Sequence, residues 1–133
     1  MYLLDASALY PLLRRLGDRI LLYRDELAVL DLTFYEIGNV LWKEHRLGRI
    51  REWRAASKLF SEVLKELQIL RAEDLEGVLE MATERNLSFY DASYAYTAEK
   101  ENLVLVTEDK KLLRSTNNAI SVEELLARLN KLV

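Results

Sequence analysis

SFYDASYAYTAEKENLVLVTEDKKLL, residues 88–113, decides the fold class. From Ser88 or Phe89 to Lys100 the residues are mostly small or apolar, and Asp91, Tyr94, Ala95 and Ala98 fall three and four apart, on one helical face. The polar side of that helix is expected at Ser93, Thr97, Lys100 and Glu101. Leu103–Val106 is a run of four apolar residues, too short for a helix and without the alternation of a half-wet strand. It reads as a strand covered on both faces. Lys110–Arg114 then reads as a short helix. A helix, a buried strand and a helix in succession imply a parallel sheet, and acids sit at two of the joints, Asp91 and Asp109.

The pattern repeats outward. Tyr2–Asp5 is a short apolar strand, followed by a helix from about Ser7, which is placed to cap it. Leu27–Leu32 is a second strand, within which Asp31 marks an end. Thr33 opens a helix with Glu36 three residues on, the spacing of a capping box, and Gly48 follows its end at Leu47. Phe34, Ile37 and Leu41 form its expected core stripe, while Glu36 shares a face with Asn39, Val40 and Lys43. Ile50–Leu67 is an amphipathic helix, Gln68–Leu70 a short strand, Glu73–Arg85 a helix, Ala119–Ser121 a last strand and Val122–Lys131 a last helix. Strands separated by helices predict an α/β protein, a three-layer α/β/α arrangement with a mainly parallel central sheet. One proline, four glycines and no repeat or linker predict a single domain over residues 1–133.

Composition narrows the function. With no cysteine, disulfides and thiolate metal sites are excluded. With one histidine, His45, serine–histidine triads and histidine metal clusters have almost nothing to work with, and His45 reads as a helix-surface residue. There is no glycine-rich phosphate loop. No stretch approaches the roughly 20 apolar residues of a membrane helix, and the opening residues lack the regions of a signal peptide, so a cytoplasmic location and no membrane partner are expected. A net charge of −3 argues against a protein that coats nucleic acid, yet leaves room for a local basic rim.

The acids carry the chemistry. In open α/β sheets ligands bind outside the carboxyl ends of the strands. Asp5 closes the first strand, Glu36 lies just past the second, Asp109 lies three residues past 103–106, and Asp91 heads the helix leading into that strand. Each alone is explained by a turn, a cap or the helix dipole. All four together suggest a shared carboxylate site. Acids at the edge of a core suffer desolvation and mutual repulsion, and a divalent cation relieves both; an all-oxygen shell with water suits Mg2+ or Mn2+.

The blocks YLLDASALY (2–10), LTFYEIGNVLWK (32–43), LSFYDASYAYTAE (87–99) and LVLVTEDKKL (103–112), in that order, resemble the PIN-domain family, and within it most closely the VapC-type toxins of toxin–antitoxin pairs. The resemblance implies a metal-dependent endoribonuclease whose acidic quartet maps onto Asp5, Glu36, Asp91 and Asp109, all four ligating or water-mediated partners of Mg2+ (or Mn2+). It implies supporting roles for Ser7 and Thr107, with Asn39 orienting Glu36 or a ligand water. Some relatives carry a further acid after the fourth; here Lys110 and Lys111 follow, which favours one tightly held ion. It also implies an RNA substrate, a homodimer and a cognate VapB-type antitoxin covering the active-site face.

Arg14, Arg15, Lys43, Arg46, Lys110, Lys111 and Arg114 are the candidates for an RNA-binding rim. Tyr90, Tyr94 and Tyr96 offer stacking surfaces, their inward-facing members belonging rather to the core. Trp42 and Trp53 read as core or interface. An aspartyl-nucleophile phosphatase would want a second Asp where Ser7 stands, and a receiver domain would want paired acids at the first strand's end. The alternative of another class is a catalytically silent PIN-like RNA- or protein-binding module.

Overall fold

The computed structural model describes residues 1–130; Lys131, at the end of the last expected helix, lies outside them. In chain order the strands are β1 (Tyr2–Leu4), β2 (Leu27–Leu30), β3 (Gln68–Leu70), β4 (Val104–Val106) and β5 (Ala119–Ile120). The helices are α1 (Ala6–Leu16), α2 (Asp31–Arg46), α3 (Trp53–Glu66), α4 (Leu75–Arg85), α5 (Phe89–Lys100), α6 (Lys110–Ser115) and α7 (Val122–Asn130), and a 3-10 segment, Gly17–Glu26, joins α1 to β2. All the strand pairings are parallel, in the order β3-β2-β1-β4-β5. The expected three-layer α/β/α fold is what forms.

Successive strand residues point to opposite faces, and this divides the interior in two. Leu4, Leu27, Val29, Val106 and Ile120 join one core with α1, α3 and α7. Leu3, Ala28, Leu30 and Leu105 join the other with α4, α5 and α6. The strands are apolar without alternation because each is buried on both sides.

Several local expectations are corrected. Asp5 is not the end of β1 but the N-cap of α1: its carboxylate accepts from Ala8 N–H at 3.0 Å, so Ser7 falls inside the helix. The helix after β2 starts at Asp31, which is therefore helical rather than a strand residue, and the Thr33–Glu36 capping box does not form. Thr33 Oγ1 instead accepts from Leu30 N–H, which moves Glu36 into the second turn. Ile37 is buried as expected, but Phe34 is 62% exposed, on the rim of a groove it shares with α3. Trp42 and Trp53 are likewise exposed, not core. On α5, Ser93 and Thr97 are buried where a polar side was expected: this helix is wedged between β4, α4 and α6, and nearly all of it is covered.

These burials set the energetics. Leu105→Ala should cost about 2–5 kcal/mol, since it opens a cavity beneath α5; Phe34→Ser should stay within about 0.5 kcal/mol. Urea unfolding midpoints at constant slope measure both.

Candidate active site

The strand order reverses direction at β1. From β1 the chain moves outward through β2 to β3, whereas β4 and β5 lie on the other side. The crevice between β1 and β4 is thus the place where such sheets bind ligands. Register brings its two walls together. Leu4 stands opposite Val106, and Asp5 N–H donates to the Val106 carbonyl, so Asp5 and Thr107 leave the sheet side by side.

Asp5 is 5% exposed, and its carboxylate is held by three donors. Ser7 Oγ donates to Oδ1 at 2.7 Å, Ala8 N–H to the same oxygen at 3.0 Å, and Thr107 Oγ1 to Oδ2 at 2.6 Å. Ser7 and Thr107 also meet each other, 3.2 Å apart. Ser7 Oγ accepts from Glu108 N–H, and Thr107 Oγ1 from Asp109 N–H. The two hydroxyls therefore tie the loop after β4 to the start of α1. Asp109 caps α6, accepting from Leu112 N–H at 2.9 Å. Asp91 is in the first turn of α5, whose cap is Ser88.

Glu36 is reached by Tyr94, whose Oη donates to Oε1 at 2.6 Å and lies 2.8 Å from Thr33 Oγ1. The sequence offered Tyr94 only as a stacking or core residue and Thr33 only as a helix start, neither as a partner of Glu36. The available signal was position: Tyr94 is three residues after Asp91, on the same helical face. The hydrogen bond on Glu36 comes from Tyr94 rather than from Asn39, which is exposed on the wall of the adjoining cleft.

The electrostatics link the four acids in sequence. Burial pushes the Asp5 carboxyl up to about 6 against the pull of its three donors, and the Glu36 charge adds to the rise. Burial also raises Glu36, as does the charge of Asp91, while the Tyr94 bond pulls it back. Asp91 is raised by burial and then by the charge of Asp109, with Ser88 and Lys111 opposing. Tyr94 is held strongly protonated by burial and by its bond to Glu36, so it acts as a donor. Among the described residues, none of the four acids forms a salt bridge.

This donor set fits a hard cation: oxygen only, negative, partly dehydrated and short of positive charge. Among the described residues no three acidic or histidine side chains stand close enough to serve as a ready-made shell. Mg2+, which keeps much of its water, suits such an open arrangement better than a fully dehydrated ion.

The basic candidates divide. Lys110 and Lys111 follow Asp109 in the first turn of α6, with Arg114 in its last turn. Lys43 lies two turns along α2 from Glu36 on the same face, and Arg46 stacks on Trp42 at 4.9 Å. Arg14 and Arg15 are in the last turn of α1, roughly 14 Å along its axis from Asp5. There Arg14 covers the Tyr10 ring and Arg15 pairs with Glu123, so both are drawn away from the acids. Tyr96 donates to Asp74 and makes no contribution here.

Known proteins share the fold. The PIN domain family model matches residues 2–118. Exonuclease VapC9 of Pyrobaculum aerophilum is 54% identical over 128 residues, covering 96% of this chain and 95% of that protein. Ribonuclease VapC3 of the same organism is 36% identical over 99 residues, covering 72% and 76% respectively. The crystal structure of PAE2754 from Pyrobaculum aerophilum superposes with a TM-score of 0.89 at 53% identity, over 98% of this chain and 96% of that one. A toxin–antitoxin complex from Klebsiella pneumoniae shares the fold, with a TM-score of 0.62 at 19% identity over 92% and 98%.

Asp5 generates a pH prediction. Its folded-state value, about 6, lies above the ordinary 3.8, so the native state binds the extra proton between about pH 4 and 6. Stability from this group is full below that window and is lost as pH rises through it. Asp5→Asn should therefore raise Tm at pH 8 by roughly 3–10 °C in metal-free buffer, with the gain shrinking below pH 6. Thermal unfolding of both proteins across pH 4–8 measures it.

Proposed function

The chain belongs to the PIN domain family, and its curated relatives are of the VapC type; on that premise we propose that it is a metal-dependent ribonuclease that hydrolyses RNA phosphodiester bonds, the toxin of a VapBC-type pair. The observation that carries the reading is that Asp5, Glu36 and Asp91 are each raised by burial and by the charge of the next acid, with Lys111 offsetting Asp91 in part, while among the described residues none of the four acids is in a salt bridge.

Asp5, Asp91, Asp109 and Glu36 are the residues that would hold Mg2+ or Mn2+. Such an ion supplies charge to offset that developing on the phosphate and lowers the pKa of a water nucleophile. The remaining steps belong to the side chains. Ser7, Thr107 and Ala8 N–H fix the Asp5 carboxylate so that it cannot rotate away. Tyr94 holds one oxygen of Glu36 and leaves the other free to orient the attacking water and accept its proton. Lys110 and Lys111, which follow Asp109, and Lys43, on the face of α2 that carries Glu36, would engage backbone phosphates.

Partners follow the same reading. The apolar groove between α2 and α3, lined by Phe34, Tyr35, Leu41, Phe60 and Leu64, is the surface we assign to a VapB-type antitoxin. The exposed Trp42 and Trp53 are assigned to contact between two copies of the chain in a homodimer. Among the described residues no helix is long and apolar enough to cross a membrane.

Cleavage of linear and circular single-stranded RNA, with EDTA, Mg2+ or Mn2+, tests the activity. Cleavage should need the metal, and Asp91→Asn should lower it on the order of 100-fold or more. Opening of the circle is the outcome expected of an endoribonuclease; attack on the linear RNA alone would assign this chain the mode that Exonuclease VapC9 is named for.

A further inference from the structure

A cleft of about 400 Å³ adjoins the acids, lined by Ala6, Leu32, Tyr35, Glu36, Asn39, Val40 and Tyr90. Its walls come from the elements that carry the acids. Ala6 follows Asp5, Tyr35 precedes Glu36, and Tyr90 precedes Asp91. Glu36 itself belongs to both the cleft and the acidic site. Whatever occupies the cleft is thus placed beside Glu36 and the acidic site.

The lining has a definite chemistry. Tyr35 and Tyr90 are 72% and 61% exposed, two large rings presented to solvent where neither serves a core. Leu32, Val40 and Ala6 add apolar surface. Asn39 is exposed, and its carboxamide offers both donors and an acceptor. Apart from Glu36 the cleft has no charge, whereas the phosphate-binding side carries Lys110 and Lys111. Stacking rings, an apolar floor and one amide are the elements that read an unpaired base: every base has a π-face, and its edge takes hydrogen bonds from a side-chain amide. A base within a duplex presents neither face.

Resting on the nuclease reading above, we propose that this cleft is a nucleobase subsite: it seats one unpaired base next to the scissile phosphate, stacked on Tyr90 or Tyr35 and read at its edge by Asn39. Tyr35, Tyr90 and Asn39 thereby become specificity residues, and the substrate is single-stranded at that position.

The test uses short single-stranded RNAs carrying 2-aminopurine at successive positions, bound to the Asp91→Asn protein, whose weakened metal site leaves the RNA uncut, alongside cleavage of the matching unlabelled RNAs by the active chain in Mg2+. Fluorescence should be quenched at one position, and an abasic residue at that position should weaken binding roughly 5- to 100-fold. Tyr90→Ala or Tyr35→Ala, according to which ring carries the base, should abolish the quench and raise KM by a similar factor with a much smaller change in kcat, while Phe at the same position keeps both. Asn39→Ala should level the base preference at that position alone. Cleavage that proceeds alike with the abasic residue, with Tyr90→Ala and with Tyr35→Ala would overturn the subsite while leaving the nuclease intact. No cleavage and no binding by folded wild-type protein would overturn the nuclease reading and the subsite with it.

Discussion

The structure turns on one carboxylate kept out of water. Asp5 follows a strand buried on both faces, so its charge must be met by the protein. Three donors meet it, and they come from both sides of the crevice: Ala8 and Ser7 from α1, and Thr107 from the end of β4. The parallel register of β1 with β4 is what makes Thr107 available. The hydroxyl that satisfies Asp5 also takes the Asp109 N–H, so a second acid is positioned by the same bond network. Donors lower the proton affinity of Asp5 but do not offset its burial, and the carboxyl remains near 6. That residual imbalance, shared by Glu36 and Asp91, is what the proposed divalent ion would offset.

Capping and chemistry do not compete at these positions. Asp5 and Asp109 are N-caps of α1 and α6, each accepting from a backbone N–H three residues on. A cap uses part of a carboxylate's lone-pair capacity and fixes its direction. The helix starts thus serve as rigid mounts, and the acids stand where strands end and helices begin because the backbone there supplies both position and donors. Tyr94 plays the corresponding part for Glu36, which has no cap to hold it: a phenol from a different helix fixes one oxygen.

Much of this was legible in the sequence. Short apolar runs such as Leu103–Val106, separated by helical periodicities, predicted the strands and the parallel sheet, because burial on both faces leaves a signal that needs no knowledge of neighbours. The four acids were legible for the same reason: each stood at the joint of an apolar run and a helix. Contacts between distant segments were not. Nothing local told Phe34, which is exposed, from Ile37, which is buried; the position of α3 decides that. Ser93 and Thr97 looked like the wet side of α5 until α4 and α6 covered it. Tyr94 read as core, and at 1% exposed it is core along its ring, but its hydroxyl end belongs to the site. Arg14 and Arg15 looked close to the acids in sequence, and one helix length carries them away.

The central claim, that the four acids act together to hold one divalent ion, is tested most directly by Mn2+ binding followed by electron paramagnetic resonance. Titration of the metal-free protein at pH 7.5 should give a single site, displaced by excess Mg2+ and lost in Asp5→Asn and Asp91→Asn, both shown to be folded by circular dichroism. A wild-type protein that leaves Mn2+ free at millimolar concentration, or variants that bind it as tightly as the wild type, would contradict the account.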